Sequence, residues 1–114
     1  MAIAKYWQRG ESLDYVNSGD DAIEANSVIE LVDRIGIAGT KIEAGATGSA
    51  HVKGVFEIQK LSGAISQGEK VYWYKSSVDE NSGITTTAGS NIPAGYAATA
   101  AASGDTTVLV NINA

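Results

Sequence analysis

His51 is the only histidine in the 114-residue chain, so any catalytic triad or imidazole metal site would depend on it. A Ser-His-Asp triad uses the imidazole as its general base, and zinc sites combine several His or Cys ligands. The chain has no cysteine. We expect His51 to begin a strand as a solvated residue on its polar face, beside Lys53. The sequence therefore predicts no catalytic residue.

Four of the thirteen acidic side chains form two adjacent pairs, Asp20-Asp21 and Asp79-Glu80. Calcium needs about six to eight oxygen ligands, and the spacing of an EF-hand loop is absent. Both pairs lie in turn-like sequence. We interpret them as solubilising turn residues and predict no metal site.

Residues 63–70 (GAISQGEK) are the closest approach to a phosphate-binding loop. Such a loop needs Gly-x4-Gly-Lys-[Ser/Thr], because backbone amides hold the phosphates and the lysine neutralises them. Glu69 stands where the lysine should be, and Lys70 begins a strand pattern rather than a helix. We predict a glycine-containing hairpin loop and no cofactor.

The run Tyr72-Trp73-Tyr74 could provide an aromatic platform for a sugar or a base. Two-residue alternation places Trp73 in the core and both tyrosines outside. Core packing is the first interpretation. A carbohydrate- or ligand-binding β-module that uses Tyr72 and Tyr74 is an alternative function.

Composition limits the remaining classes of function. The net charge of −5 and a pI of about 4.6 are opposite to the basic surface of a nucleic-acid binder. Residues 83–104 are nearly uncharged, but their glycine, proline, serine and threonine make them too polar for lipid. We expect one domain, no nucleic-acid partner, no membrane partner and synthesis in a cytoplasm.

Three segments alternate with a period of two, which is typical of half-buried strands. They are residues 52–60, 70–75 and 106–113, and turn signals rich in glycine, serine and asparagine separate them. The pattern predicts a small antiparallel β-barrel or sandwich. The expected core residues are Val52, Phe56, Ile58, Val71, Trp73, Val108, Val110 and Ile112.

Residues 20–36 allow two interpretations. Val28, Leu31, Val32 and Ile35 follow a helical spacing, with Gly36 suited to the position after the last turn, and this helix is locally favoured. The alternative is two strands joined by a turn at Asp33-Arg34. That arrangement would place Ile29, Leu31, Ile35 and Ile37 on one face.

Six blocks, taken in order and with their spacing, resemble a family of small tailed-phage proteins, the capsid cement or decoration proteins. They are residues 34–38 (RIGIA), 52–58 (VKGVFEI), 65–73 (ISQGEKVYW), 84–87 (ITTT), 93–97 (PAGYA) and 101–110 (AASGDTTVLV). The resemblance covers most of the chain. It also favours two strands over a helix in residues 23–38.

The resemblance implies an all-β protein on the outer surface of an expanded phage head, where it stabilises contacts between major capsid proteins. Decoration proteins of this kind commonly bind at threefold points, so a homotrimer is expected, on the virion surface and made in the host bacterial cytoplasm. Relatives are sometimes labelled recombinase-like, which the acidic charge does not support. Another virion component, from head completion or the tail, is a further alternative.

Two surfaces are candidates for these contacts. Residues 1–10 are expected to form an extended N-terminal arm preceding a single β domain, residues 11–114. The expected capsid contacts in the arm are Ile3, Lys5, Tyr6, Trp7 and Arg9. Small residues between 83 and 102 allow two backbones to approach closely, and the expected subunit seam is Tyr96, Ala98 and Ala100.

Overall fold

The computed structural model describes residues 1–78 and 81–114, and in them the chain is all-β with two antiparallel sheets. The strands are β1 (Ser12–Val16), β2 (Val28–Leu31), β3 (Arg34–Ala38), β4 (Thr47–His51), β5 (Val55–Gln59), β6 (Lys70–Tyr74), β7 (Gly83–Thr85), β8 (Ile92–Ala97) and β9 (Thr107–Ile112). The expectation of an all-β fold is confirmed. Residues 1–10 belong to no strand, and each of them is exposed.

The strands form a sandwich-like arrangement and not a closed barrel. One sheet has the order β1-β4-β3-β2, and the other has the order β5-β9-β8-β6-β7. A single parallel bridge between Lys60 and Ile84 joins the two ends of the five-stranded sheet. Because this contact is one bridge rather than a ladder, the sheet stays open along most of β5.

The three alternating segments form strands close to their expected positions. β5 pairs with β9 so that Phe56 opposes Val110 and Ile58 opposes Val108. These side chains point inward, and their neighbours in sequence point to solvent. The strand expected from residue 52 begins only at Val55, because Gly54 adopts a φ of 122° that only glycine tolerates well.

Residues 28–38 form a hairpin, so the locally favoured helix is wrong. The turn occupies Val32 and Asp33, one residue before the expected Asp33-Arg34. The register pairs Val28 with Ile37 and Glu30 with Ile35. Opposed residues share a face, so Ile35 and Ile37 lie on the face opposite to Ile29 and Leu31, and the single apolar face predicted for these four residues is wrong.

β3 is buried on both faces, which explains why its hydrophobic pattern is continuous. Ile35 and Ile37 pack against the five-stranded sheet in the main core. Ala38, on the other face, belongs to a smaller core with Ile29 and Ile42. A Cβ at Gly48 would lie 2.4 Å from Cγ1 of Ile42. Because glycine has no Cβ, Ile42 can pack flat on β4.

Most of the expected core residues are buried, and all of these except Val52 belong to the main core. Val52, Ile58, Val71, Trp73, Val108, Val110 and Ile112 are buried, whereas Phe56 is half-buried. The indole nitrogen of Trp73 donates a hydrogen bond to Oε2 of Glu30 at 2.9 Å. This bond connects β6 of one sheet to β2 of the other, and it satisfies the polar atom of a nearly buried ring.

Asn113 joins the two sheets directly. Its Oδ1 accepts a hydrogen bond from the amide of Ile35 at 3.1 Å. Its Nδ2 donates to the carbonyl oxygens of Ile35 at 2.7 Å and Val52 at 2.9 Å. A φ of 59° turns this side chain from the end of β9 toward β3, a conformation that asparagine tolerates.

Gly95 allows β8 to bulge against its neighbours. Val71 pairs with Gly95 and Tyr72 with Pro93, which leaves Ala94 as the extra residue. Gly95 has a φ of 124°, and a Cβ there would lie 2.1 Å from the carbonyl oxygen of Asn111. The close approach of β8 and β9 therefore depends on glycine.

We predict that Gly95→Ala lowers the free energy of unfolding by about 3 kcal/mol or more, because strain and a backbone clash add together. Gly63→Ala is the matched control, since Gly63 has a φ of 116° but open space around it. It should cost about 1–2 kcal/mol. Urea denaturation followed by tryptophan fluorescence measures both, and equal costs would contradict the prediction.

We also predict that Asn113→Gly lowers the free energy of unfolding by about 2–4 kcal/mol, because it leaves part-buried backbone groups of β3 without partners. Glycine suits the positive φ, so the loss reports the hydrogen bonds. Asn111→Gly is the control, since the Asn111 amide donates to the Tyr96 hydroxyl on an exposed face and not to a backbone group of β3. Denaturation should show a clearly smaller loss for the control, and similar losses would refute the role of Asn113.

Candidate interaction surfaces

His51 is a half-buried residue at the end of β4, so its expected position at the start of the next strand is wrong. Its Nδ1 lies 2.9 Å from the hydroxyl oxygen of Ser12 on β1. The other side of the ring stacks on Phe56, with 6.1 Å between centroids. Among the described residues no carboxylate contacts this imidazole, and the pair connects β1 to β4.

The acidic pairs do not form a cluster in the part of the chain that the structure describes. Asp20 and Asp21 are exposed turn residues, and no group of three or more His, Asp or Glu side chains in residues 1–78 and 81–114 could hold a metal ion. Asp79 and Glu80 lie outside the described residues.

The glycine-containing segment, residues 63–70, is not a hairpin loop, because β5 and β6 on either side of it do not pair. Ile65 forms a bridge with Ala101, a turn follows at Gln67-Gly68, and Lys70 begins β6. The carboxylate of Glu69 accepts a hydrogen bond from the amide of Ser66 at 3.0 Å, and the amide of Glu69 donates to the Ser66 carbonyl. The amide of Gly68 donates to the carbonyl of Ala97. These groups therefore hold the turn against β8, and Glu69 takes an amide that an anion would otherwise use.

The aromatic run is divided between the core and the outer surface. Trp73 is 6% exposed and belongs to the core, whereas Tyr72 is half-buried and Tyr74 is exposed. No described helix is both long and apolar enough to cross a lipid bilayer.

The first surface is the arm, residues 1–10. Ile3, Tyr6 and Trp7 are between 76% and 89% exposed, and Lys5 and Arg9 are exposed as well. Because these side chains are not buried in the fold, their burial on a partner would release free energy. The structure therefore places the five expected contact residues on one uncovered segment.

The second surface is the outer face of the five-stranded sheet. Tyr96 is exposed on β8, and its hydroxyl accepts a hydrogen bond from the Asn111 amide at 3.0 Å. Ala98 is half-buried, with its amide bonded to the carbonyl of Leu109, and Ala100 is exposed. Nearby Ala97 and Ala101 are core residues, so the alanine-rich segment is divided between core and surface.

Two apolar residues of the outer face were missing from the expected seam. Val55 on β5 and Leu109 on β9 are exposed. Register places Val55 opposite Asn111 and Tyr96 opposite Asn111, so Val55, Asn111 and Tyr96 form one row across three strands. The sequence contains a signal for these two residues, because the alternation places Val55 on the polar side of residues 52–60 and Leu109 on the polar side of residues 106–113.

Charge separates the arm from the rest of the chain. Residues 1–10 contain Lys5, Arg9 and no acidic residue. The remaining residues carry six basic and thirteen acidic side chains, a formal charge of −7. The arm is thus a short basic and apolar segment attached to an acidic β body.

A family model described as phage cement protein matches residues 7–112. No curated protein and no solved structure matched the chain. The matched range covers all nine strands, the outer face and the end of the arm from Trp7 onward. The chain therefore belongs to the phage cement protein family, whose members are structural components of the phage capsid.

Proposed function

We propose that this cement protein binds the major capsid protein on the outside of the expanded head, and that it does so as a homotrimer. Membership of the cement family supports the capsid role. Two exposed surfaces support the proposed partner and the proposed trimer. The arm would contact the shell, and the outer face of the five-stranded sheet would contact neighbouring copies. The proposed work is binding alone and no catalysis.

The arm is the proposed contact with the shell. Its large apolar side chains are almost fully exposed, and within the described residues a hydrogen bond from the Gln8 amide to the Ser12 carbonyl connects the segment to β1. Because the fold does not bury this segment, the segment is available to be buried against a partner. Ile3, Tyr6 and Trp7 would supply apolar area, and Lys5 and Arg9 would set orientation through charge.

The outer face of the five-stranded sheet is the proposed seam between copies. Hydrogen bonds hold Tyr96 to Asn111 and Thr107 to Glu57, so the polar side chains are ordered before any contact forms. Ordered side chains lose little entropy on docking. Because several copies linked in a ring bind several shell sites together, weak single contacts would still give firm attachment.

We expect purified protein, mixed with undecorated expanded heads, to add density to the outer surface of the shell at regular sites. Cryo-electron microscopy of the mixture measures this, and heads incubated in buffer are the control. Absence of added density would overturn the proposed function.

Deletion of residues 2–7 should leave the free energy of unfolding within about 0.5 kcal/mol of the full chain, because the arm makes no core contact. The same deletion should weaken binding to expanded heads by at least about tenfold. Co-sedimentation with heads measures the affinity. Val32→Ser is the control, since Val32 is 92% exposed but lies on the β2–β3 turn, and it should bind normally. If the deletion left the affinity for heads unchanged, the proposal that the arm contacts the shell would be wrong.

A further inference from the structure

The four-stranded sheet ends in an open edge at β1. In the described residues β1 is a terminal strand, paired only with β4. The amide of Asn17, just after β1, donates to the carbonyl of Ala46, just before β4. By alternation, the backbone groups of Asp14 and Val16 therefore point away from β4. This edge presents N–H and C=O groups to the outside of the sheet.

The other end of the same sheet is the edge of β2. This terminal strand is paired with β3. The amide of Ala38 donates to the carbonyl of Ser27. By alternation, the backbone groups of Val28 and Glu30 therefore point away from β3. The sheet thus has an outward-facing set of backbone groups at each end.

A groove of about 480 Å³ opens beside the β2 edge, and residues 26–28 and 56–59 line it. A strand paired with β2 would lie about 4.8 Å from it, in this space. Glu57 lines the groove, and its carboxylate accepts a hydrogen bond from the Thr107 hydroxyl on the outer face of the five-stranded sheet. The β2 edge is therefore continuous with the face that forms the proposed seam between copies.

Both edges lack the common barriers to pairing with another chain. Such barriers include proline, lysine and β-bulges. β1 (SLDYV) and β2 (VIEL) contain no proline or lysine, and both pair regularly with their neighbours. Leu13 and Val16 on β1 are 41% and 57% exposed. A strand added at β1 would therefore bury apolar area as well as pair backbone groups.

The directions of the strands favour a head-to-tail contact between copies. Every neighbouring pair in the four-stranded sheet is antiparallel, so β1 and β2 run in opposite directions. Rotation about an axis parallel to the strands leaves their directions unchanged. β1 of a second copy would therefore lie antiparallel to β2, which is the slightly more stable arrangement. A contact between two different edges is heterologous, and it can close into a ring.

Pairing between two identical edges is less favourable. Asp14 is the middle residue of β1. Two β1 strands in full register about a two-fold axis would place their Asp14 carboxylates directly opposite each other, and opposed like charges are destabilising. Such a dimer would also leave both β2 edges open. A closed ring joins β1 to β2 at each interface and leaves no open edge in the four-stranded sheets.

We propose that β1 of one copy adds as a strand to the β2 edge of the next copy, in a closed head-to-tail trimer. Asp14 lies opposite Val28 and Ser12 lies opposite Glu30, which keeps like charges apart. The arm takes no part in this contact and stays available for the shell. The inference rests on the proposed homotrimer and adds a second contact beside the seam.

Hydrogen–deuterium exchange, resolved to single residues, tests the proposal on the unaltered chain. We expect the outward amides of Asp14, Val16 and Val28 to exchange at least about tenfold more slowly above the concentration of trimer formation than below it. The amides of Leu13 and Tyr15 point toward β4 and are the control, with a clearly smaller change. Analytical ultracentrifugation identifies the trimer. Unchanged exchange of the outward amides in the trimer would overturn the proposal.

Asp14→Pro tests the β1 edge directly, because it removes an outward N–H without removing a hydrogen bond within the sheet. It should raise the concentration needed for trimer formation by at least about tenfold. Asp14→Asn is the matched control, since it removes the same charge and keeps the N–H. It should assemble like the unaltered chain, and an equal loss in both variants would contradict the proposal. The exchange measurement decides the question even if Asp14→Pro does not fold.

Binding to undecorated heads is measured separately with the unaltered chain. Trimers with slowly exchanging outward amides that fail to bind heads would overturn only the shell contact of the proposed function. Trimers that bind heads while their outward amides exchange freely would overturn only the added-strand contact. A chain that stays monomeric at every concentration would overturn the added-strand contact and the homotrimer together.

Discussion

The side chain of Asn113 is the constraint on which the relation of the two sheets depends. One amide group satisfies the N–H and C=O of Ile35 and also the carbonyl of Val52. These backbone groups lie where β3 meets the five-stranded sheet. Left unpaired, they would each carry a desolvation cost that packing would have to offset. By pairing these groups, Asn113 lowers the free-energy cost of packing β3 of the four-stranded sheet against the end of β9 in the five-stranded sheet.

A second contact, between Trp73 and Glu30, fixes the same two sheets at a different point. Two separated contacts restrict rotation as well as distance. The groove between β2 and β5, which residues 26–28 and 56–59 line, lies beside the Trp73 contact.

Much of the fold could be predicted from the sequence because local alternation reports burial on one face. The strands β5, β6 and β9 and most core residues follow from it. Alternation fails for β3, which is buried on both faces. The helical spacing of Val28, Leu31 and Ile35 is misleading for another reason, since it runs across β2, the turn and the start of β3. Alternation also fails for the turn at Val32 and Asp33, where a shift of one residue changes which side chains share a face.

The candidate surfaces were only partly predictable. The arm could be recognised because its apolar residues precede the first strand. The groove could not, since it joins residues 26–28 to residues 56–59, and nothing local in either segment indicates the other. Val55 and Leu109 were visible as apolar residues at polar positions, but their place in one face follows only from the pairing of β5 with β9.

The strand order has a consequence for how the chain acquires its structure. β9 follows all other strands in the chain, yet it lies between β5 and β8 inside the five-stranded sheet. Until β9 is available, β5 has no antiparallel partner in that sheet, and the residues that pack on Val108 and Val110 stay exposed. Such distant pairings fold slowly compared with local ones. A nascent chain therefore cannot form the finished surface piece by piece, and copies become competent for assembly in a single late step.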